Sequence, residues 1–255
     1  MKLKEQIANF FTLMNLVCGV IAIICIMRGA LTLAGVLVFL GAFFDFIDGF
    51  VARALRISSE LGKQLDSLSD LVTFGVVPGL LAHEMMVSEQ YSFVVLLIPV
   101  FSALRLGKFN IDTRQSKNFI GLPTPANGLF WASLAIIFYD IDALRGLLGN
   151  KGEANDFYTS LYKLLTSDTF IYPAVVVASL LMVAPLRLIG LKFSNMALKG
   201  NEMRIALIAI SIVLAAFIGF YAAPIILLLY IVFSIIHFYI LKRDETNTIE
   251  KLNER

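Results

Sequence analysis

The feature that most constrains this chain is a succession of long apolar runs, too many and too closely spaced for a domain folded in water. They fall at about 8–27, 30–55, 62–87, 91–109, 125–148, 169–190, 203–221 and 223–241. A helix needs roughly 17–25 residues to cross the hydrocarbon core of a bilayer, and each run is of that order. In lipid every backbone polar group must find a partner within the protein, so a spanning chain is helical or a closed barrel. Barrel strands read as alternating segments of about ten residues, and continuous apolar runs do not. Composition agrees: 58% of the 255 residues are hydrophobic and only 16% are charged, with a mean hydropathy of +0.82. The fold class expected is all-α, a polytopic membrane bundle of about eight transmembrane helices. It reads as one transmembrane domain over 1–241, with a core of about 5–190 and two extra C-terminal helices at 203–241. A charged tail follows at 242–255.

Of the 21 Lys and Arg residues, only Arg28, Arg145, Lys151 and Lys163 fall on one side of this arrangement. The other side collects the rest, among them Arg53, Arg56, Lys63, Arg105, Lys108, Arg114 and Lys117. Basic residues near span ends favour the cytoplasmic face. Both termini, and the junction of the second and third helices, are therefore expected in the cytoplasm, in the cell membrane. Cys18 and Cys25 lie seven residues apart in the first run and read as small packing residues. That run is also too long for a cleavable signal peptide.

One stretch breaks the apolar pattern. "DFIDGFVARALRISSELGKQLDSLSD", residues 45–70, puts Asp45, Asp48, Asp66 and Asp70 at the rim of the membrane. Asp45 and Asp48 are an i, i+3 pair, and Asp66 and Asp70 an i, i+4 pair, so each pair shares a helix face. The short connection makes the two helices antiparallel neighbours, and the pairs can face each other across one gap. Carboxylates so close repel, and desolvation adds to the cost. Arg53, Arg56 and Lys63 could balance them as a charge-rich helix end. A hard divalent ion accounts better for the spacing, because Mg²⁺ takes carboxylates plus phosphate oxygens, and two such ions suit phosphoryl transfer. Gly49, Ala52 and Gly62 keep the facing helix surfaces low, which lets a nucleotide approach the backbone or the helices pack closely.

In order and spacing, Asp45, Asp48, Gly49, Ala52, Arg53, Gly62, Asp66 and Asp70 resemble the signature of the CDP-alcohol phosphatidyltransferases. The resemblance implies a phosphotransferase that moves a phosphatidyl group from a CDP-linked lipid to an alcohol and releases CMP. It implies two divalent ions, Mg²⁺ or Mn²⁺, with Asp45, Asp48 and Asp66 as principal ligands. Asp70 would be the base at the acceptor hydroxyl and is counted among the metal ligands too. "ALRLGKFNIDTRQSKNFIGLPTPANG" (103–128), "NFFTLMNLVCG" (9–19) and "LVTFGVVP" (71–78) are similar to the phosphatidylserine synthase branch, with Gly107 where that branch has alanine. The branch implies CDP-diacylglycerol and L-serine as substrates, and the family implies a homodimer; no nucleic-acid partner is expected.

A serine acceptor brings a carboxylate and an ammonium, so Arg105, Lys108 and Asn110 are candidates for binding it, although basic residues there also serve as membrane anchors. Asn9, Thr12 and Asn15, at i, i+3 and i+6 along one side of the first helix, could bind cytidine or diphosphate, or bridge helices. Arg53 is either a phosphate clamp or a partner for the aspartates. "GLPTP" (121–125) reads as a rigid loop into the fifth helix or simply as its start. His83, Glu84 and His237 read as distant from the site. Other acceptors, glycerol 3-phosphate or inositol phosphate, fit the same chemistry, as does an archaeal ether-lipid donor. An ion-coupled carrier is the alternative of another class, but it predicts carboxylates spread through the membrane depth and an internal repeat.

Overall fold

The computed structural model describes residues 3–55, 59–86, 89–111, 119–139, 163–164, 167–189, 201–219 and 222–241. Arg56, Arg114, Lys117, most of the polar stretch 149–168 and the tail 242–255 lie outside the described residues.

The first two helices form a hairpin. Helix α1 (Leu3–Met27) ends where Gly29 takes φ 73°, a left-handed conformation that costs glycine little. There the Gly29 and Ala30 N–H groups donate to the carbonyls of Ile26 and Cys25, both at 2.9 Å, and α2 (Leu31–Ala54) returns against α1. Helix α3 (Glu60–Asp70) opens on Ser59, whose Oγ accepts from the Gly62 N–H at 3.0 Å, with Glu60 in the first turn. Both features suit a helix N-terminus. It runs on through a π-helical segment, Leu71–Val76, into α4 (Val77–Glu84). Pro78 explains the wide turn. A proline clashes with the carbonyl four residues back, and here the register before it has opened so that the Val77 N–H reaches Val72.

A 3₁₀ segment, Glu89–Leu96, leads into α5 (Leu97–Ile111). After β1 (Phe119–Ile120) come α6 (Thr124–Tyr139), α7 (Asp168–Val183) and β2 (Arg187–Leu188). The chain ends its described course with α8 (Glu202–Ile218) and α9 (Ala222–Ile235), the latter extended by a π-helical turn, Ile236–Leu241. Among the described residues, five helical stretches are long and apolar enough to cross a membrane: Glu5–Met27, Leu31–Ala54, Glu60–Glu84, Ser92–Ile111 and Ala222–Tyr239. Thr124–Ile137 and Asp168–Val183 are shorter apolar helices, and α8 supplies the remaining apolar segment. The protein is thus a multi-pass helical membrane bundle, with a helix in each of the expected spans.

The sixth span departs from expectation. The apolar run predicts a helix to 190, but α7 stops at Val183. Ala184 precedes Pro185, which disfavours the helical region for it, and its φ −63°, ψ 145° are extended. The released strand pairs antiparallel with β1, Phe119 opposite Leu188 and Ile120 opposite Arg187. This two-residue ladder is the sheet among the described residues.

Side chains sort as a bilayer demands. On α2, Phe43, Phe46 and Phe50 are exposed, while Ala34, Val38, Gly41 and Asp48 turn inward. One buried cluster gathers Trp131, Phe74, Leu81, Ile98 and Ile171; a second gathers Leu122, Met182, Leu188, Ile189, Leu227 and Tyr230. Close packing at the π-helical segment depends on two glycines. A Cβ at Gly19 would stand 2.5 Å from Thr73 Oγ1, and one at Gly41 would stand 2.7 Å from Thr73 Cγ2. Thr73 therefore fits between α1 and α2 only because both positions lack a side chain, a use of small residues common in membrane helices.

Candidate active site

Asp45 and Asp48 on α2 meet Asp66 on α3, one carboxylate oxygen from each lying within 4.8 Å of the others. Asp45 and Asp66 come within hydrogen-bonding reach of each other, a separation that two bare carboxylates do not tolerate without a shared proton or cation. Asp48 Oδ2 and Asp66 Oδ1 are buried and have no hydrogen-bond partner. An orphaned buried carboxylate oxygen is costly, and an all-oxygen donor set converging on one point is what a hard divalent cation takes. The cluster therefore fits a metal ion.

Asp70 stands apart from the three. It is 6% exposed, one helical turn beyond Asp66, at the point where α3 widens into the π-helical segment. Its Oδ1 accepts from Asn15 Nδ2 at 3.1 Å. Asn15 is itself fixed, because its backbone carbonyl accepts from Thr73 Oγ1 at 3.0 Å. The two glycines that admit Thr73 thus also settle where Asp70 points. It lies within electrostatic range of Asp45, Asp66, Arg105 and Asp48.

Beside the cluster opens a cavity of about 410 Å³, which Asp48 and Asp66 border together with Asn9, Thr12, Gly49, Ala52, Arg53 and Gly62. Every one of the expected nucleotide-side residues except Asn15 is on this wall. The exception is geometric. Steps of three residues fall about 60° short of a full turn, so Asn15 has rotated away from Asn9 and onto Asp70. Glu5, Ala8, Ser59 and Lys63 complete the lining; Lys63 is one of the basic residues expected near the aspartates, whereas nothing in the sequence singles out Glu5, Ala8 or Ser59. Arg53 is exposed, and its Nη1 lies over Gly49, where a Cβ would approach it at 3.3 Å. Gly62 is needed for closeness, since a Cβ there would meet Ser59 Oγ at 2.9 Å and Asn9 Oδ1 at 3.1 Å.

The expected acceptor residues are not one cluster. Arg105 is 7% exposed, and the buried charged side chains among the described residues are Asp48, Asp70 and Arg105. Its Nη1 donates to Thr124 Oγ1 at 3.3 Å, and its guanidinium lies 5.3 Å from the Phe109 ring centroid. Asp70, Tyr230, Asp45 and Asp66 are all within its electrostatic range. Lys108 instead faces outward and is exposed. Asn110 ties helices together: its Nδ2 donates to Ser67 Oγ at 2.8 Å, and its carbonyl accepts from Lys63 Nζ at 2.6 Å. At about 100° per residue, Asn110 sits about 140° round α5 from Arg105, and the helix divides their tasks. Thr124, within "GLPTP", and Tyr230, far along the chain, join Arg105 without having been singled out. His83 pairs with Glu84 at 3.8 Å, at the far end of α4 from Asp66.

Fold and site define a multi-pass membrane protein with an acidic cluster of a kind that fits a cation, beside a polar cavity at one end of its helices. The family described as CDP-alcohol phosphatidyltransferase matches residues 5–152, more than half of the chain, and the chain belongs to it. The chain is 36% identical over 148 residues to a CDP-diacylglycerol–serine O-phosphatidyltransferase of Bacillus subtilis (strain 168), a match covering 57% of this chain and 84% of that one. It is 38% identical to an archaetidylserine synthase of Methanothermobacter thermautotrophicus over 46% of this chain and 52% of that one. A CDP-diacylglycerol–serine O-phosphatidyltransferase of Methanocaldococcus jannaschii is 37% identical over 48% of this chain and 57% of its own length. For these last two, the match spans about half the relative's length.

Proposed function

We propose that the protein is a CDP-diacylglycerol–serine O-phosphatidyltransferase, transferring phosphatidyl from CDP-diacylglycerol to the L-serine hydroxyl and releasing CMP. The observation that carries the reading is the separation of labour among the aspartates. Asp45, Asp48 and Asp66 converge beside a cavity of about 410 Å³, with orphaned oxygens on Asp48 and Asp66, while Asp70 is held separately by Asn15. The serine acceptor is supported by the names of the relatives.

Two divalent ions, Mg²⁺ or Mn²⁺, held by Asp45, Asp48 and Asp66 with Asp70 at the edge of the set, would supply positive charge to the pyrophosphate. The chain's own residues do the rest. Asn9, Thr12 and the low wall of Gly49, Ala52 and Gly62 seat the cytidine and diphosphate, and Arg53 closes over them. Asp70 accepts the proton of the serine hydroxyl. The hydroxyl oxygen forms a bond to the lipid-side phosphorus, and the phosphorus–oxygen bond to CMP breaks. Arg105, buried within range of Asp70, anchors the serine carboxylate; such a desolvated guanidinium is worth more there than in water. Lys108 takes no part, and Asn110 acts by tying α5 to α3. The distribution of basic residues favours an active site at the cytoplasmic face of the cell membrane with both termini cytoplasmic, and the assembly is a homodimer.

An acceptor panel tests this. Purified protein receives CDP-diacylglycerol, Mg²⁺ or Mn²⁺, and in turn L-serine, glycerol 3-phosphate and inositol phosphate, and CMP is measured. Serine alone is expected to release CMP and yield phosphatidylserine. Release with either phosphorylated alcohol and none with serine overturns the acceptor assignment. A parallel arm with an ether-linked CDP-lipid decides the donor, diacyl being expected.

A further inference from the structure

The family match ends at residue 152, yet the structure carries later residues into the Arg105 half of the site. Helix α9 supplies a clamp. Tyr230, 8% exposed, donates its hydroxyl to the Ile189 carbonyl at 3.1 Å. Ser234 Oγ accepts from the Ile189 N–H at 3.1 Å and donates to the Tyr230 carbonyl at 2.7 Å. Both backbone polar groups of Ile189 thus end on one helix. A strand end at membrane depth cannot be left unpaired.

What the clamp holds is the approach to α6. Ile189 follows β2, and β2 pairs with β1. Immediately after β1, the Gly121 N–H donates to the Leu186 carbonyl and the Leu122 N–H to the Leu181 carbonyl, both at 2.9 Å. Two residues on is Thr124, fully buried, the hydrogen-bond partner of Arg105. Helix α7 also reaches α5 one turn before Arg105, where Ser102 Oγ donates to Met182 Sδ at 3.6 Å. Tyr230 itself lies within electrostatic range of the guanidinium. Arg105 is therefore braced from its own helix and from its hydrogen-bond partner Thr124, whose approach α9 holds through Ile189 and the paired strands.

We infer that the C-terminal segment outside the family-matched region is part of the acceptor half of the active site, with Tyr230 and Ser234 as positioning residues that act through Thr124 and Arg105. The inference rests on the reading of Arg105 as the acceptor's anchor. It assigns acceptor affinity, and not lipid-nucleotide affinity, to a helix more than a hundred residues from the aspartates in sequence.

The test is two-substrate steady-state kinetics on the full chain. Tyr230→Phe is expected to raise the acceptor KM about fivefold, roughly the worth of one ordinary hydrogen bond, with the CDP-diacylglycerol KM unchanged. In an Arg105→Lys background it should add nothing, the non-additivity of residues acting on one another. Ser234→Ala should raise the acceptor KM in the same way, and Ser234→Thr, which keeps a hydroxyl, should restore it. An unchanged acceptor KM in Tyr230→Phe overturns the proposal. So does a parallel rise of both KM values with a lowered melting temperature, which marks a brace of the fold alone. If Tyr230→Phe fails to accumulate, the Ser234 pair decides by the same criteria. Should the unsubstituted protein use another alcohol than serine, the serine reading falls, and the variants are then judged on the KM for that alcohol. A protein that releases CMP with no alcohol at all overturns both.

Discussion

The two halves of the site are built by different means. The cavity side is formed by α1, α2 and the start of α3, elements contiguous in sequence, and it is open: Arg53 and Lys63 on its wall are exposed. The Arg105 side is closed. Arg105, Thr124 and Tyr230 are all buried, and they come from α5, α6 and α9. An open wall needs low relief and a few donors, which glycine, alanine and short polar side chains provide. A buried guanidinium needs partners on every side, because an uncompensated charge in a dry interior costs several kcal/mol, and those partners come from wherever the fold can supply them. Asp70 lies between the halves, tied to α1 by Asn15 and within electrostatic range of Arg105.

The largest effect should come from the cluster that the cavity side carries. Asp48→Asn is expected to lower kcat/KM on the order of 10³-fold or more, since the charge that a metal site supplies is worth several kcal/mol. Chelation of divalent ions should do the same to the unsubstituted protein, and added Mg²⁺ or Mn²⁺ should reverse it. Turnover that survives chelation would remove the metal from the account. Next comes the residue between the halves. Asp70→Asn is expected to reduce kcat by about 10²–10⁴-fold, the usual range for a general base, while CMP binding measured by calorimetry is kept; loss of CMP binding would instead place Asp70 with the nucleotide.

Asn15→Leu is a smaller change of similar shape. It leaves Asp70 Oδ1 without its donor, and the expected result is a fall in kcat of about tenfold with both KM values held. A rise in the CDP-diacylglycerol KM would return Asn15 to the cavity wall. The smallest effect belongs to Lys108→Ala, for which kinetics and melting temperature should match the unsubstituted protein within about 0.5 kcal/mol, since Lys108 is exposed beside a buried Arg105.

The sequence made the cavity side legible because its determinants are local. Two helices joined by a short turn carry Asp45, Asp48, Gly49, Ala52, Gly62 and Asp66, and helical spacing alone brings them to one gap. The apolar runs were legible for the same reason, with α7 the exception: a strand shorter than a turn of helix is invisible inside an apolar run until Pro185 is read as its cause. Asn15 was placed on the right helix and the wrong face, because a three-residue step looks aligned over one turn and drifts over two. Arg105 was legible as a candidate because a serine carboxylate calls for a basic side chain. Its partners were not, since nothing in "GLPTP", where Thr124 lies 19 residues on, or in a tyrosine of the last helix points to a buried guanidinium on α5. Contacts of that kind depend on tertiary packing, which no local period encodes.

The division of the site can be measured in one comparison, the pair of KM values for Ala52→Leu set beside that for Arg105→Lys. Ala52 borders the cavity, and a leucine there takes up part of its volume while leaving every aspartate in the chain. The account predicts a crossed result: Ala52→Leu raises the KM for CDP-diacylglycerol and leaves that for serine, and Arg105→Lys does the reverse, by about tenfold or more for a charge-assisted contact. Both variants raising the same KM, or each raising both equally, would contradict it.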